Sequence, residues 1–136
     1  MAGEATIRQL LERYFEFVGA DVERAEEFYQ DDAVLEFPQS GERFEGRATF
    51  TEWRSQYPVG ADDMRYRILR HTVREDFAAT ELTASYDRGE NWMFGVQLLD
   101  FRGDKIARER IYVAEGWDAP EWRANWRSAT PADPPA

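Results

Sequence analysis

One unbroken stretch, Asn91 to Glu115, constrains the fold most: NWMFGVQLLDFRGDKIARERIYVAE. It reads as two long strands joined by a tight turn at Arg102-Gly103-Asp104, where glycine can take the positive φ of a short hairpin. The first strand is apolar on both faces, which predicts a central position covered on both sides. The second alternates. Ala107, Glu109, Ile111 and Val113 share one face; Arg108, Arg110 and Tyr112 share the other. Glu109 is thus a carboxylate among apolar residues that point at the core, and it is the clearest pointer to chemistry in the chain.

The remaining composition narrows the function classes. At 136 residues the length suits one domain, residues 1–136. The 43% apolar share is enough for a packed core, and the 15% aromatic share suits a pocket for a flat organic ligand as well as plain core packing. A net charge of −10 argues against nucleic acid and against anionic membrane surfaces as partners. There is no cysteine, so disulfides, thiolate catalysis and cysteine-bound metals are excluded. His71 is the one histidine, which excludes a histidine-rich metal centre; no metal and no cofactor are expected. No apolar run reaches membrane-spanning length and the N-terminus has no apolar signal core, so a cytoplasmic location is expected.

Along the chain, Ile7, Leu10, Leu11, Tyr14, Phe15 and Val18 recur at helical spacing, predicting a helix over 5–18. A second helix is predicted from Asp21 to about Gln30, ended by Asp31-Asp32. Short strands follow at Ala33–Phe37 and Arg43–Glu45, then a third helix over about Arg47–Gln56. After Asp62 the period changes to two. Met64–Glu75, Phe77–Asp87, Asn91–Phe101 and Lys105–Glu115 read as four long strands in an antiparallel meander. Trp122 and Trp126 lie one helical turn apart and are expected to fold back onto the body; residues 128–136 read as a flexible tail. The layout is α+β: three N-terminal helices packed in a strongly curved, antiparallel-rich sheet, a cone with room for a cavity.

Three stretches, RYFEFVGADVERAEEFYQDDAVLEFP, FEGRATFTEW and DKIARERIYVAE, resemble the nuclear transport factor 2-like superfamily. Its members include ketosteroid isomerases, scytalone dehydratases, limonene epoxide hydrolases and SnoaL-like polyketide cyclases. The likeness spans about residues 5 to 117, and the tail Ala119-Pro120-Glu121-Trp122-Arg123 with Trp126 resembles that of uncharacterised bacterial SnoaL-like proteins. The resemblance implies a cone with an apolar pocket and a homodimer through the outer sheet face. Carried over by residue, Tyr14 matches the tyrosine of the isomerases, Phe37 stands where their general base falls, and Gln97 stands at their second acid. Val113 or Ala114 falls where the cyclases place an aspartate. Steroid isomerisation by that mechanism is therefore rejected.

Three residues remain as catalytic candidates: Glu109, Tyr14 and Gln97. A partly desolvated Glu109 would titrate near neutrality and exchange protons. It could equally be a structural glutamate paired with an arginine or with Tyr14, or be turned outward by a bulge. Gln97 suits orientation of a ligand carbonyl, or is a core amide satisfied by Tyr14 or Glu109. Tyr14 either donates its phenol proton to a ligand oxygen or is an aromatic core residue. Phe37, Trp53, Tyr57, His71, Trp92 and Val113 are candidates to line the ligand pocket. Two functions fit. One is a cofactor-independent proton-transfer enzyme of isomerase, dehydratase or cyclase type, acting on a small, apolar or aromatic, oxygenated molecule. The other is a non-catalytic binding or dimerisation module of the same fold.

Overall fold

The computed structural model describes residues 3–17, 22–56 and 63–128. Tyr57, proposed for the pocket, and the flexible tail expected at the C-terminal end beyond residue 128 lie outside the described residues. The elements run α1 (Glu4–Phe17), α2 (Val22–Glu26), β1 (Tyr29–Phe37), β2 (Glu42–Glu45), α3 (Arg47–Ser55), β3 (Arg65–Arg74), β4 (Phe77–Ser85), β5 (Met93–Arg102) and β6 (Lys105–Glu115), with a 3₁₀ turn at Glu121–Arg123. The six strands form one sheet in the order β2-β1-β6-β5-β4-β3. The meander β3 to β6 is antiparallel throughout, and β1 joins it parallel to β6. The central hairpin closes as its sequence requires: Arg102 pairs with Lys105, and Gly103 sits at φ 67°.

The helices pack on one face of the sheet. On α1, Ile7, Leu11 and Tyr14 recur at helical spacing and are all buried. They meet Leu35 of β1, Ala78 of β4, Leu99 and Phe101 of β5 and Ile106 of β6 in one core.

Two local expectations are corrected. The second helix stops at Glu26, and Tyr29 to Asp32 belong to β1 instead of the helix. Sheet pairing outweighs helical propensity here: Tyr29 is in register with Ile106, whose N–H donates to the Phe28 carbonyl at 2.8 Å. Asp31 and Asp32 fall where the β1–β6 register shifts, stay exposed, and pair with Arg47 and Arg102. At the other end, the tail tryptophans do not fold back. Trp117, Trp122 and Trp126 are 80%, 74% and 77% exposed. The segment forms only a three-residue 3₁₀ turn, too short to present a continuous apolar face to the sheet.

Two β-bulges decide which side chains face the helices. In β3 the pairing passes from Ile68 to Arg70, so Leu69 is the extra residue and is exposed. His71 therefore shares the inner face with Val73 but not with Leu69, contrary to simple alternation. In β6 the pairing passes from Ile106 to Arg108, so Ala107 is the extra residue and buried Ile106 joins Glu109 on the inner face. The bulge lies before Glu109 and leaves it inward.

Candidate functional site

The sheet register sets inner-face side chains in rows. One row runs Val73, Ala78, Leu99, Glu109, Leu35 across β3, β4, β5, β6 and β1. The next runs His71, Thr80, Gln97, Ile111. Glu109 is fully buried and sits under α1 and α3. Its Oε1 accepts from the Tyr14 hydroxyl at 2.9 Å. Its Oε2 accepts from the Tyr29 hydroxyl at 2.9 Å and from Arg54 Nη2 at 3.3 Å. The two phenol oxygens are 2.7 Å apart, and either can donate to the other. Arg54 also donates from Nη1 to the Tyr29 oxygen at 3.2 Å, with its guanidinium 5.5 Å from the Tyr29 ring and 5.6 Å from the Trp53 ring. Each described group that hydrogen-bonds Glu109 is a donor, the partner that a buried carboxylate requires.

Electrostatics keeps this cluster in one protonation pattern. Burial, and next the carboxylate of Glu109, push the Tyr14 phenol well above its ordinary range. Burial raises Tyr29 as well, with Arg54 opposing it. For Arg54 burial works against the charge, but Tyr29, Tyr14 and Glu109 outweigh it and hold the guanidinium protonated. Both phenols are therefore neutral donors throughout the physiological range.

Of the three catalytic candidates, the fold brings Tyr14 and Glu109 together. Gln97 lies one row away, is 8% exposed, and neither Tyr14 nor Glu109 satisfies it; its Oε1 is buried with no hydrogen-bond partner. Tyr29 and Arg54 are cluster members that sequence reasoning missed. Tyr29 was hidden inside the predicted helix. Arg54 carried a signal: it stands four residues after buried Phe50, on the same face of α3.

The pocket candidates are spread out. Phe37 and Trp53 pack edge-on at 6.0 Å, and Phe44 lies 5.3 Å from Trp53. Beside them an open groove of about 290 Å³ is lined by Phe44, Thr49, Glu52, Trp53 and Gln56. Trp92 is apart from this group, with its indole N–H donated to the Gly89 carbonyl at 3.1 Å. Val113 is half-buried on β6, opposite Gly95, and its N–H donates to the Gln39 side chain at 2.6 Å. His71 Nδ1 lies 2.8 Å from the Thr80 hydroxyl, with the Phe15 ring 5.6 Å away. Among the described residues no group of three or more acidic or histidine side chains is placed to hold a metal ion, and no helix is long and apolar enough to cross a membrane.

His71 has a measurable consequence. Burial, and secondly Arg8, hold its imidazole below the usual 6.5, with Glu12 opposing. The unfolded chain therefore binds its proton first as pH falls, so stability is full above about pH 6.5 and declines below it. Glu36, held low by Arg108, and Asp87, held at about 2 by Asn91 and Ser85, act in a more acid range. Urea denaturation should show a loss of stability from about pH 7.5 to about pH 5.5 that His71→Gln abolishes. NMR titration of this one imidazole should have its midpoint below 6.5; a midpoint at or above that value overturns the assignment.

Helices seated on a curved six-stranded sheet, with a buried polar cluster between the two layers, define a protein of the nuclear transport factor 2-like cone class. The chain belongs to the family of the SnoaL-like domain, whose model matches residues 8–109. Solved structures agree in fold. A nuclear transport factor 2-like protein of unknown function from Burkholderia xenovorans LB400 is 29% identical, covers 94% of this chain and 98% of its own, and superposes with a TM-score of 0.81. A candidate ketosteroid isomerase from Kribbella flavida DSM 17836 is 24% identical over 96% of this chain and 93% of its own, at a TM-score of 0.83. An LEH-like epoxide hydrolase of Mycobacterium tuberculosis is 18% identical over 82% of this chain and 84% of its own, at 0.69. No curated protein matches the sequence.

Proposed function

We propose that the protein is a cofactor-independent proton-transfer enzyme, of isomerase, dehydratase or cyclase type, for a small, mostly apolar, oxygenated organic molecule. The observation that carries this reading is the asymmetry of Glu109. Among the described residues, Oε2 is held twice, by Tyr29 and Arg54, whereas Oε1 is held once, by Tyr14. If Tyr14 turns its phenol proton toward a ligand oxygen, Oε1 becomes a free proton acceptor and the carboxylate is still paired through Oε2. Tyr14 would then stabilise charge developing on the ligand oxygen while Glu109 takes a proton from carbon and returns it elsewhere. Tyr29 and Arg54 are positioning residues in this scheme. Relatives of the same fold include a candidate isomerase and an epoxide hydrolase/cyclase-like enzyme acting in pyran ring formation, which supports the reaction class. In this reading Phe37, His71 and Val113 face the ligand, and Trp53 and Trp92 stand toward the mouth. The protein would work in the cytoplasm as a homodimer through the outer sheet face, where Phe94 and Val96 are exposed.

A specific observation favours a second reading. Tyr14, Tyr29 and Glu109 are 1%, 0% and 0% exposed, and all three hydrogen-bond within the cluster. Such a cluster can serve as a polar core clamp beneath a non-catalytic binding cavity. Thermal-shift screening of aromatic and terpenoid alcohols, ketones and epoxides, followed by product analysis of each binder, separates the two. Conversion of a binder supports the enzyme; stable binders that are all recovered unchanged support the binding module.

A further inference from the structure

We infer that Gln97 selects ligands that carry a neutral hydroxyl group, an inference that rests on the ligand-pocket reading above. On β5, Gln97 alternates with Leu99 and Phe101 toward the helices, and all three are buried. Its cross-strand neighbours are Thr80 on one side and Ile111 on the other. The Thr80 hydroxyl is engaged by His71 Nδ1 at 2.8 Å, and Ile111 has nothing to offer. Gln97 Oε1 is thus a buried acceptor that no described residue satisfies. Such a group is destabilising, and leucine would fill nearly the same space without that cost. The sheet register sets this amide among Leu82, Leu99 and Ile111, so in the ligand-pocket reading it is the polar group of an apolar wall. Next along the same face is Gly95. A Cβ there would press on the Tyr112 carbonyl at 3.1 Å and touch Leu82 at 3.8 Å, so a larger residue would crowd this end of the row.

The open valence dictates the ligand's chemistry. An unsatisfied acceptor needs a donor, which a ketone, ether or epoxide oxygen lacks. An ammonium would bring a charge that nothing in the His71–Thr80–Gln97–Ile111 row neutralises. An alcohol, phenol or enol donates to Oε1 and, because its oxygen also accepts, suits the other end of the amide equally. The sequence alone suggested that Gln97 orients a carbonyl; the orphaned atom is the acceptor, so the complement is a hydroxyl.

Matched probes on one ring system test this: tetralol, tetralone and tetralin, measured by calorimetry and thermal shift on the wild type and on Gln97→Leu. Tetralol should bind the wild type about 5–10-fold more tightly than tetralone, the worth of one net hydrogen bond. Gln97→Leu should bring that ratio to about one and leave tetralin binding undiminished. Without ligand, Gln97→Leu should melt about 3–8 °C higher than the wild type, because an unpaired amide has left the core. Equal binding of tetralol and tetralone by the wild type, or a preference that survives in Gln97→Leu, overturns the hydroxyl assignment and leaves the pocket intact. A Gln97→Leu protein that melts lower or does not fold overturns it too, since the amide is then satisfied within the apo structure. If none of the three probes binds at millimolar concentration, the pocket reading itself fails and takes this inference with it.

Discussion

Replacing Glu109 with leucine is expected to lower folding stability by about 3–5 kcal/mol, the cost of breaking a buried ion pair from one side. Leucine keeps most of the volume, so little of that loss is a cavity effect. The loss comes from what remains. Arg54, whose side chain is only 12% exposed, would keep its charge without a counter-charge, and the Tyr14 and Tyr29 hydroxyls would be left with only each other as acceptors. Glu109→Gln should be milder, because the amide oxygen still accepts from one phenol. Combining Glu109→Leu with Arg54→Met removes both charges and should recover most of the stability, since a well-packed apolar pair is often no worse than a buried salt bridge. Urea denaturation of the wild type, Glu109→Leu, Arg54→Met and the double variant, closed as a double-mutant cycle, provides the check. A leucine variant within about 1 kcal/mol of the wild type would mean that Glu109 is not the counter-charge of Arg54.

The second large effect is on turnover, for a substrate found in the screen above. Glu109→Gln should still fold and bind, and should lose about 10²–10⁴-fold in kcat, the usual contribution of a general acid–base group. Tyr14→Phe should lower kcat as well while leaving Glu109 held by Tyr29 and Arg54. Tyr29→Phe should weaken the clamp but spare the atom that takes the proton, so its effect on kcat should be the smallest of the three. Because burial holds both phenols well above their ordinary range, the rate should show no phenol ionisation up to about pH 9. Unchanged turnover in Glu109→Gln would remove Glu109 from the chemistry. The cluster would then stand as a core clamp.

Much of this arrangement could be read along the chain, for reasons that differ from residue to residue. The inward direction of Glu109 followed from the alternation around it, and the β5–β6 hairpin from Gly103 in the turn. Tyr14 was legible as a core-facing residue because Ile7, Leu11 and Tyr14 share one stripe of α1. Tyr29 also reads as core-facing, but on a helix; pairing with Ile106 makes it a strand residue. The partnership of Arg54 with Glu109 was also out of reach. It spans 55 residues, and no local pattern encodes which of the many arginines meets the buried carboxylate. The bulges at Leu69 and Ala107 likewise reset which neighbours share a face, and simple alternation does not announce them.

The sequence by itself therefore determined the layer order, the long meander and the presence of an acid among core-facing residues, because periodicity, turn chemistry and burial preference act over a few residues. Only the tertiary structure decided that this acid is triply hydrogen-bonded and that Oε1 of Gln97, one row away, has no partner among the described residues. Whether a buried polar atom is satisfied depends on which distant segments arrive beside it, and that is settled by packing across the whole chain.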